Sequence, residues 1–282
     1  MQINLFDTNT LITNGDNLYA NNLWPVEGLE YNKTPYLDWS GITVFTDEMC
    51  FSPVVDDVKS KYKIAWALES PVIKPHVYQW IHQIEDKFDY IYVCGHPKLD
   101  ASDPKYKQCY FGACWLREED CKVYPKSKLL SIVASNKTFA AGHKLRHELI
   151  AKEMHPELEL WGSGYRWFDN NSGEPFFDYR YVIVVENCQY PGYFTDKILD
   201  CFAAGCIPIY WGAPDIGKLF DERGFYTWNT LDELQAILNM ISEEDYDSKA
   251  EFIEENFSRF WEFASPDKWM LDNCYQGLEK DQ

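Results

Sequence analysis

Short apolar runs alternate with amphipathic stretches along most of the chain. GITVF (Gly41 to Phe45) and YKIAWAL (Tyr62 to Leu68) have the continuity of buried strands. Between the second of these and DYIYVCG (Asp89 to Gly95), PHVYQWIHQIEDKF sets Val77, Trp80, Ile81, Ile84 and Phe88 at helical spacing. The pattern predicts strand, helix, strand. From residue 96 to 127 periodicity lapses among Pro97, Pro104, Gly112 and Pro125, which reads as a long loop or linker.

At Leu129 the alternation resumes. LLSIVAS is strand-like, GHKLRHELIAKEM helix-like, LELWG a short strand and YVIVV (Tyr181 to Val185) a fully buried one. A helix from Asp196 to Ala204 follows, stopped by Gly205 in the C′ position, and then the strand CIPIYWG. GFYTW comes next, and Thr230 with Glu233 forms a capping box for LDELQAILNMI. Ser265 and Pro266 set the start of a last helix through Trp269 and Leu271. Alternation in both halves predicts an α/β protein of two doubly wound, parallel-sheet domains, 1–127 and 128–282, with the last helix a candidate to cross back to the first. Ligands of such sheets lie beyond the carboxyl ends of the strands, so the loops after Leu68, Ser135 and Val185 are the ones to inspect.

Composition narrows the function. Across 282 residues, 46% are hydrophobic and 17% aromatic, enough for a core in each domain and too many for a disordered chain. The 26 Lys and Arg against 45 Asp and Glu leave a net charge of −19, which argues against nucleic acid as a partner. An anionic ligand then needs a local cationic pocket. The start, MQINLFDTNT, has no signal-peptide pattern, and no run approaches the ~18 apolar residues of a membrane span. Nine cysteines without a CxxC pair read as reduced thiols. Together these features predict a cytoplasmic protein.

After Val185 the chain reads ENCQYPGYFTDKILDCFAAGCIPIYWG. A buried strand delivers Glu186 and Asn187 to its carboxyl end, an aromatic loop with Gly192 follows, and Thr195 caps a helix whose free N–H groups favour an anion. Lys197, at N2, opposes the helix dipole by roughly 0.3–1 kcal/mol, a conflict that a bound anion removes. The bland reading pairs Lys197 with Glu186 or Asp200 and packs Tyr193 and Phe194 in the core. As an assembly the segment suits a nucleotide diphosphate.

This run resembles the donor-binding motif of glycosyltransferase family 10, the α-1,3/4-fucosyltransferases, with its Glu-Asn, Tyr, Thr-Glu-Lys and apolar stretch ending in Pro before Gly. The resemblance implies that Asn187, Tyr193 and Lys197 contact GDP-fucose, the lysine at the phosphates. Asp196 stands where the family has glutamate. LLSIVASNK is similar to the family strand ending in Ser-Asn, after which a helix-start arginine binds the diphosphate. That slot falls here on Gly142 or His143, leaving His143 or Arg146 to take the role. Both lie in a basic stretch, Ser135 to Lys152, whose other reading is a solvated helix face. Glu69, in ESP after YKIAWAL, resembles the family's Glu-x-Pro general base. Asp245-Tyr246-Asp247 matches a metal-binding DxD pattern but lies in an acidic stretch, and the histidines at 76, 82, 96 and 155 lack ligand spacing.

The resemblance implies the GT-B fold, two Rossmann-like domains facing a central cleft, the first binding a glycan acceptor and the second the nucleotide-sugar donor. It further implies inverting, metal-independent fucosyl transfer from GDP-fucose, with no cofactor. The competing expectations are a carbohydrate- or nucleotide-binding protein on an inactive scaffold, and the same chemistry with another nucleotide sugar.

Overall fold

The computed structural model describes residues 1–7, 24–32, 34–100, 103–110 and 112–280. The chain divides into two compact units, Met1–Phe111 with Pro266–Gln282, and Gly112–Ser265. Each is built on one all-parallel sheet.

In the first unit β1 (Gln2–Phe6), β2 (Glu30–Tyr31), β3 (Asp38–Thr46), β4 (Lys59–Trp66), β5 (Tyr90–Val93) and β6 (Tyr106–Gln108) lie in the order β2-β1-β3-β4-β5-β6. In the second, β7 (Lys128–Val133), β8 (Leu158–Trp161), β9 (Tyr179–Val185), β10 (Ile207–Trp211) and β11 (Tyr226–Thr227) lie in the order β11-β10-β9-β7-β8. Renumbered within its own unit, each sheet runs 2-1-3-4-5, the first with one strand more. In this doubly wound order the switch points fall between β1 and β3 and between β7 and β9, where connections leave in opposite directions and open a crevice. Central strands buried on both faces explain the unbroken apolar runs: every residue from Tyr181 to Val185 and from Ile207 to Trp211 is buried.

The structure departs from the sequence pattern in several places. The helix expected over 75–88 ends at Trp80 and continues as 3-10 turns, Ile81–Gln83 and Glu85–Lys87. Apolar residues three apart suit both geometries, so spacing alone does not separate them. β1 and β6 flank the expected strands β3, β4 and β5, with β2 at the edge beyond β1. The last helix, Pro266–Met270, passes through a π turn at Leu271–Tyr275 before Gln276–Lys280.

The units meet at Phe111 and Gly112 rather than after residue 127. Hydrogen bonds explain the earlier division, because residues 112–127 are tied into the second unit. Cys114 N–H donates to Ala264 O, Trp115 N–H to Asp200 Oδ1 and Tyr124 N–H to Ala204 O. The acidic run forms two helices, Glu243–Ser248 and Ala250–Phe260. Asp245 there accepts from the hydroxyls of Tyr181 and Tyr226 and pairs with Lys249 at 3.1 Å, so the DxD look-alike fastens a helix to the sheet. No helix among the described residues is long and apolar enough to cross a membrane.

Gly205 ends the helix Asp196–Ala203 at φ +72°, and a Cβ there lies 2.8 Å from Val123 Cγ1. Gly205→Ala is therefore expected to cost roughly 1–3 kcal/mol through left-handed strain and overpacking, read as a lower urea midpoint.

Candidate donor site in the second unit

The β7/β9 switch point gathers most of the residues singled out in the sequence. β9 ends at Val185, and the next residue, Glu186, is wholly buried. Its carboxylate accepts the Thr195 N–H at 2.9 Å and the Thr195 hydroxyl at 2.9 and 3.1 Å. Lys197 Nζ stands 3.3 Å from Glu186 Oε2 and 2.8 Å from Thr195 Oγ1. Thr195 also caps the helix, its hydroxyl accepting the Lys197 N–H at 3.4 Å. The anion at this helix start is thus a resident carboxylate, and Glu186 positions the Thr195–Lys197 turn from inside. Burial pulls the Lys197 ammonium down, but Asp196 and Glu186 outweigh it and leave it raised, so it stays a cation.

The helix Ala141–Ala151 approaches the same strand end. Gly142 N–H donates to Asn187 O at 3.1 Å, and a Cβ on Gly142 falls 1.7 Å from Glu186 O. No side chain fits there, which explains why this position carries no arginine. His143, at N3, accepts the Ala140 N–H on Nδ1 at 3.2 Å, the bond that a capping-box glutamate ordinarily makes. Burial first, then the positive charges of Arg146, Lys137 and Lys197, push its imidazole down to about 4. At neutral pH His143 is an uncharged cap.

Arg146 lies one turn on and is 4% exposed. Its Nε donates to Val185 O at 3.1 Å and its Nη2 to Asn187 Oδ1 at 3.3 Å. Both acceptors are neutral, so neither cancels the guanidinium charge. Burial lowers its pKa, opposed by the nearby charges of Glu186 and Asp196. Between the two sequence candidates, geometry and charge single out Arg146 as the cation.

Tyr193 is buried, in a turn whose N–H reaches Tyr190 O at 3.1 Å, while Gly192 adopts φ +71° and donates to Asp215 at 2.7 Å. Asp196 and Lys197 line a cavity of about 160 Å³ together with Asp200, Trp115, Phe168 and Phe176. Sequence reasoning left Trp115 in the loop and Asp200 as a mere partner for Lys197. The signal for Asp200 was its place one turn beyond Asp196 on the same helix face. Burial holds its carboxyl well above the ordinary range, and it accepts the Trp115 N–H at 2.8 Å. Aromatic walls with a few polar side chains among them suit a polar ring-shaped ligand.

Glu69 belongs to the first unit. It follows β4 at the carboxyl edge of that sheet, is half-buried, and donates its backbone N–H to Asp47.

No family model matches the chain. It is 40% identical over 71 residues to the alpha-(1,3)-fucosyltransferase FucT of Helicobacter pylori, a stretch covering 25% of this chain and 15% of that protein. It is 38% identical over 50 residues to the fucosyltransferase-named protein R654 of Acanthamoeba polyphaga mimivirus, covering 18% and 8%. The matches therefore span less than a sixth of either relative. In fold the chain is similar to a solved alpha1,3-fucosyltransferase at TM-score 0.60 and 16% identity, covering 100% of this chain and 90% of that one. It is similar to an alpha1,3-fucosyltransferase with GDP-fucose at TM-score 0.51 and 18% identity, covering 87% and 81%. The fold is GT-B-like.

The depressed His143 imidazole gives a pH prediction. Its folded pKa of about 4 lies below the ~6.5 of an unfolded histidine, so from about pH 6.5 down to 4 the unfolded chain binds the extra proton. His143-linked stability is complete above this window and lost as pH falls through it. Urea titrations should show a stability loss on acidification that His143→Gln reduces.

Proposed function

We propose, from its place in the alpha-1,3-fucosyltransferase family, that this fucosyltransferase-like glycosyltransferase moves L-fucose from GDP-fucose to a hydroxyl of a glycan acceptor, with inversion and without a metal. The observation that carries this reading is Arg146: a buried guanidinium anchored on two neutral oxygens beside the helix start that holds Lys197. In a chain of net charge −19 a buried guanidinium bonded to neutral oxygens suits an anionic ligand. A diphosphate is one.

In this mechanism Glu69 accepts the acceptor hydroxyl proton as its oxygen attacks the anomeric carbon. The bond from that carbon to the diphosphate oxygen breaks on the opposite face. Negative charge grows on the leaving GDP, and Lys197 and Arg146 stabilise it from fixed positions. Asn187 orients Arg146, while Glu186 and Thr195 hold the Lys197 turn. Tyr193 and Asp196 contribute donor contacts, and neutral His143 maintains the helix start. The nine buried free thiols support a reducing, cytoplasmic setting.

The test is transfer from GDP-fucose to fucosyl-acceptor glycans, with EDTA present throughout. Wild type should turn over. Arg146→Ala and Lys197→Ala should each weaken GDP binding by about 10–100-fold, as loss of a charge-assisted hydrogen bond does, while His143→Gln stays within a few-fold. Glu69→Gln should lose about 10²–10⁴ in kcat with GDP affinity kept. Absence of turnover with any nucleotide sugar defeats the transferase reading, and GDP binding without turnover favours a binding protein. Loss of activity with EDTA defeats the metal-free mechanism.

A further inference from the structure

The first unit has its own switch point, between β1 and β3, and it is occupied by acids. Thr46, the last residue of β3, donates its hydroxyl to Asp7, the residue after β1. Asp47 comes next, and it is unusual in two ways. Its φ of +39° puts an ordinary side chain in the left-handed region, a conformation that costs of order 1–3 kcal/mol and persists only where surrounding contacts impose it. Its carboxylate is also buried, with Oδ1 accepting the N–H of Leu68 at 2.9 Å and that of Glu69 at 3.4 Å. β3 and β4 are neighbours in register, Thr46 opposite Trp66, so the left-handed kink after one strand brings a carboxylate under the turn that ends the other.

We propose that Asp47 is a positioning residue for Glu69, its carboxylate fixing the backbone of the turn that presents this side chain. This rests on the assignment of Glu69 as general base. Burial first, with the charges of Glu69 and Glu48 adding to it, pushes the Asp47 carboxyl up to about 7 against the two N–H bonds that lower it. The other groups facing the cluster are Lys74, which pairs with Glu48, His76, whose Nε2 is 3.7 Å from the same carboxylate, and the buried Cys50 thiol. Lys74 pairs with Glu48 and also faces the charges of Asp47 and Glu69.

Two variants separate the anchor from the rest of the side chain. Asp47→Asn keeps an oxygen for the Leu68 and Glu69 N–H groups, whereas Asp47→Gly relieves the left-handed strain and removes the anchor. For Asp47→Gly kcat should fall about 10–100-fold, with GDP affinity by calorimetry unchanged. For Asp47→Asn kcat should stay within about threefold of wild type. A kcat within twofold in Asp47→Gly overturns the proposal, as does a loss in Asp47→Asn as large as in the glycine variant. Should the glycine variant not fold, Asp47→Ala, which also lacks the acceptor, decides by the same kcat readout. Glu69→Gln run alongside keeps the two ideas apart. If it is inactive while Asp47→Gly keeps full kcat, only the role of Asp47 falls, whereas a fully active Glu69→Gln removes the base and this inference with it.

Discussion

Glu186 has no exposed surface, and a carboxylate so buried is costly unless hydrogen-bond donors meet it. Its ionised form needs donors on every side, and the chain supplies them from one turn: the Thr195 N–H, the Thr195 hydroxyl and the Lys197 ammonium. Much of the second unit's carboxyl edge follows from meeting that need. The helix Asp196–Ala203 must start where those donors converge, and Gly212 leaves the space, since a Cβ there sits 2.7 Å from Glu186 Cγ. The carbonyl of the same residue is what the second helix start presses against at Gly142. Removing one partner of so buried a pair is far more damaging than the net value of the pair implies, because the other charge stays behind.

The two units use one topological device for different charges. The β7/β9 switch point carries the cations Arg146 and Lys197, and the β1/β3 switch point the acids Asp7, Asp47 and Glu48. A sheet of order 2-1-3-4-5 opens a crevice at the same place whatever lines it. What differs is the residue that follows each strand.

The sheets were largely legible in the sequence because buried strands must be apolar on both faces. YVIVV and CIPIYWG could hardly be anything else. QINLF at β1 lacked a flanking helical pattern, and β6, three residues at a sheet edge with one of them buried, carries too little periodicity to register. The helix after Pro75 was read too long because apolar spacing is blind to a change from α to 3-10 geometry. In the site, Lys197, Thr195 and Glu186 were legible because a cap and a charge at a strand end have a local signature. The choice between His143 and Arg146 was not. It turns on which imidazole nitrogen meets Ala140 and on a carbonyl from a different strand, neither of which is encoded nearby in the chain. Asp47 was invisible for a similar reason, since a left-handed φ at an aspartate has no composition cue.

The contact at Gly142 bears on how such a site can change over generations. An arginine introduced there meets the Glu186 carbonyl before it meets any ligand, so this position is closed to side chains while the helix start stays where it is. Any larger residue at Gly142 requires the backbone of the helix start to draw away from the strand end first, so a substitution there acts on the fold before it acts on anything bound.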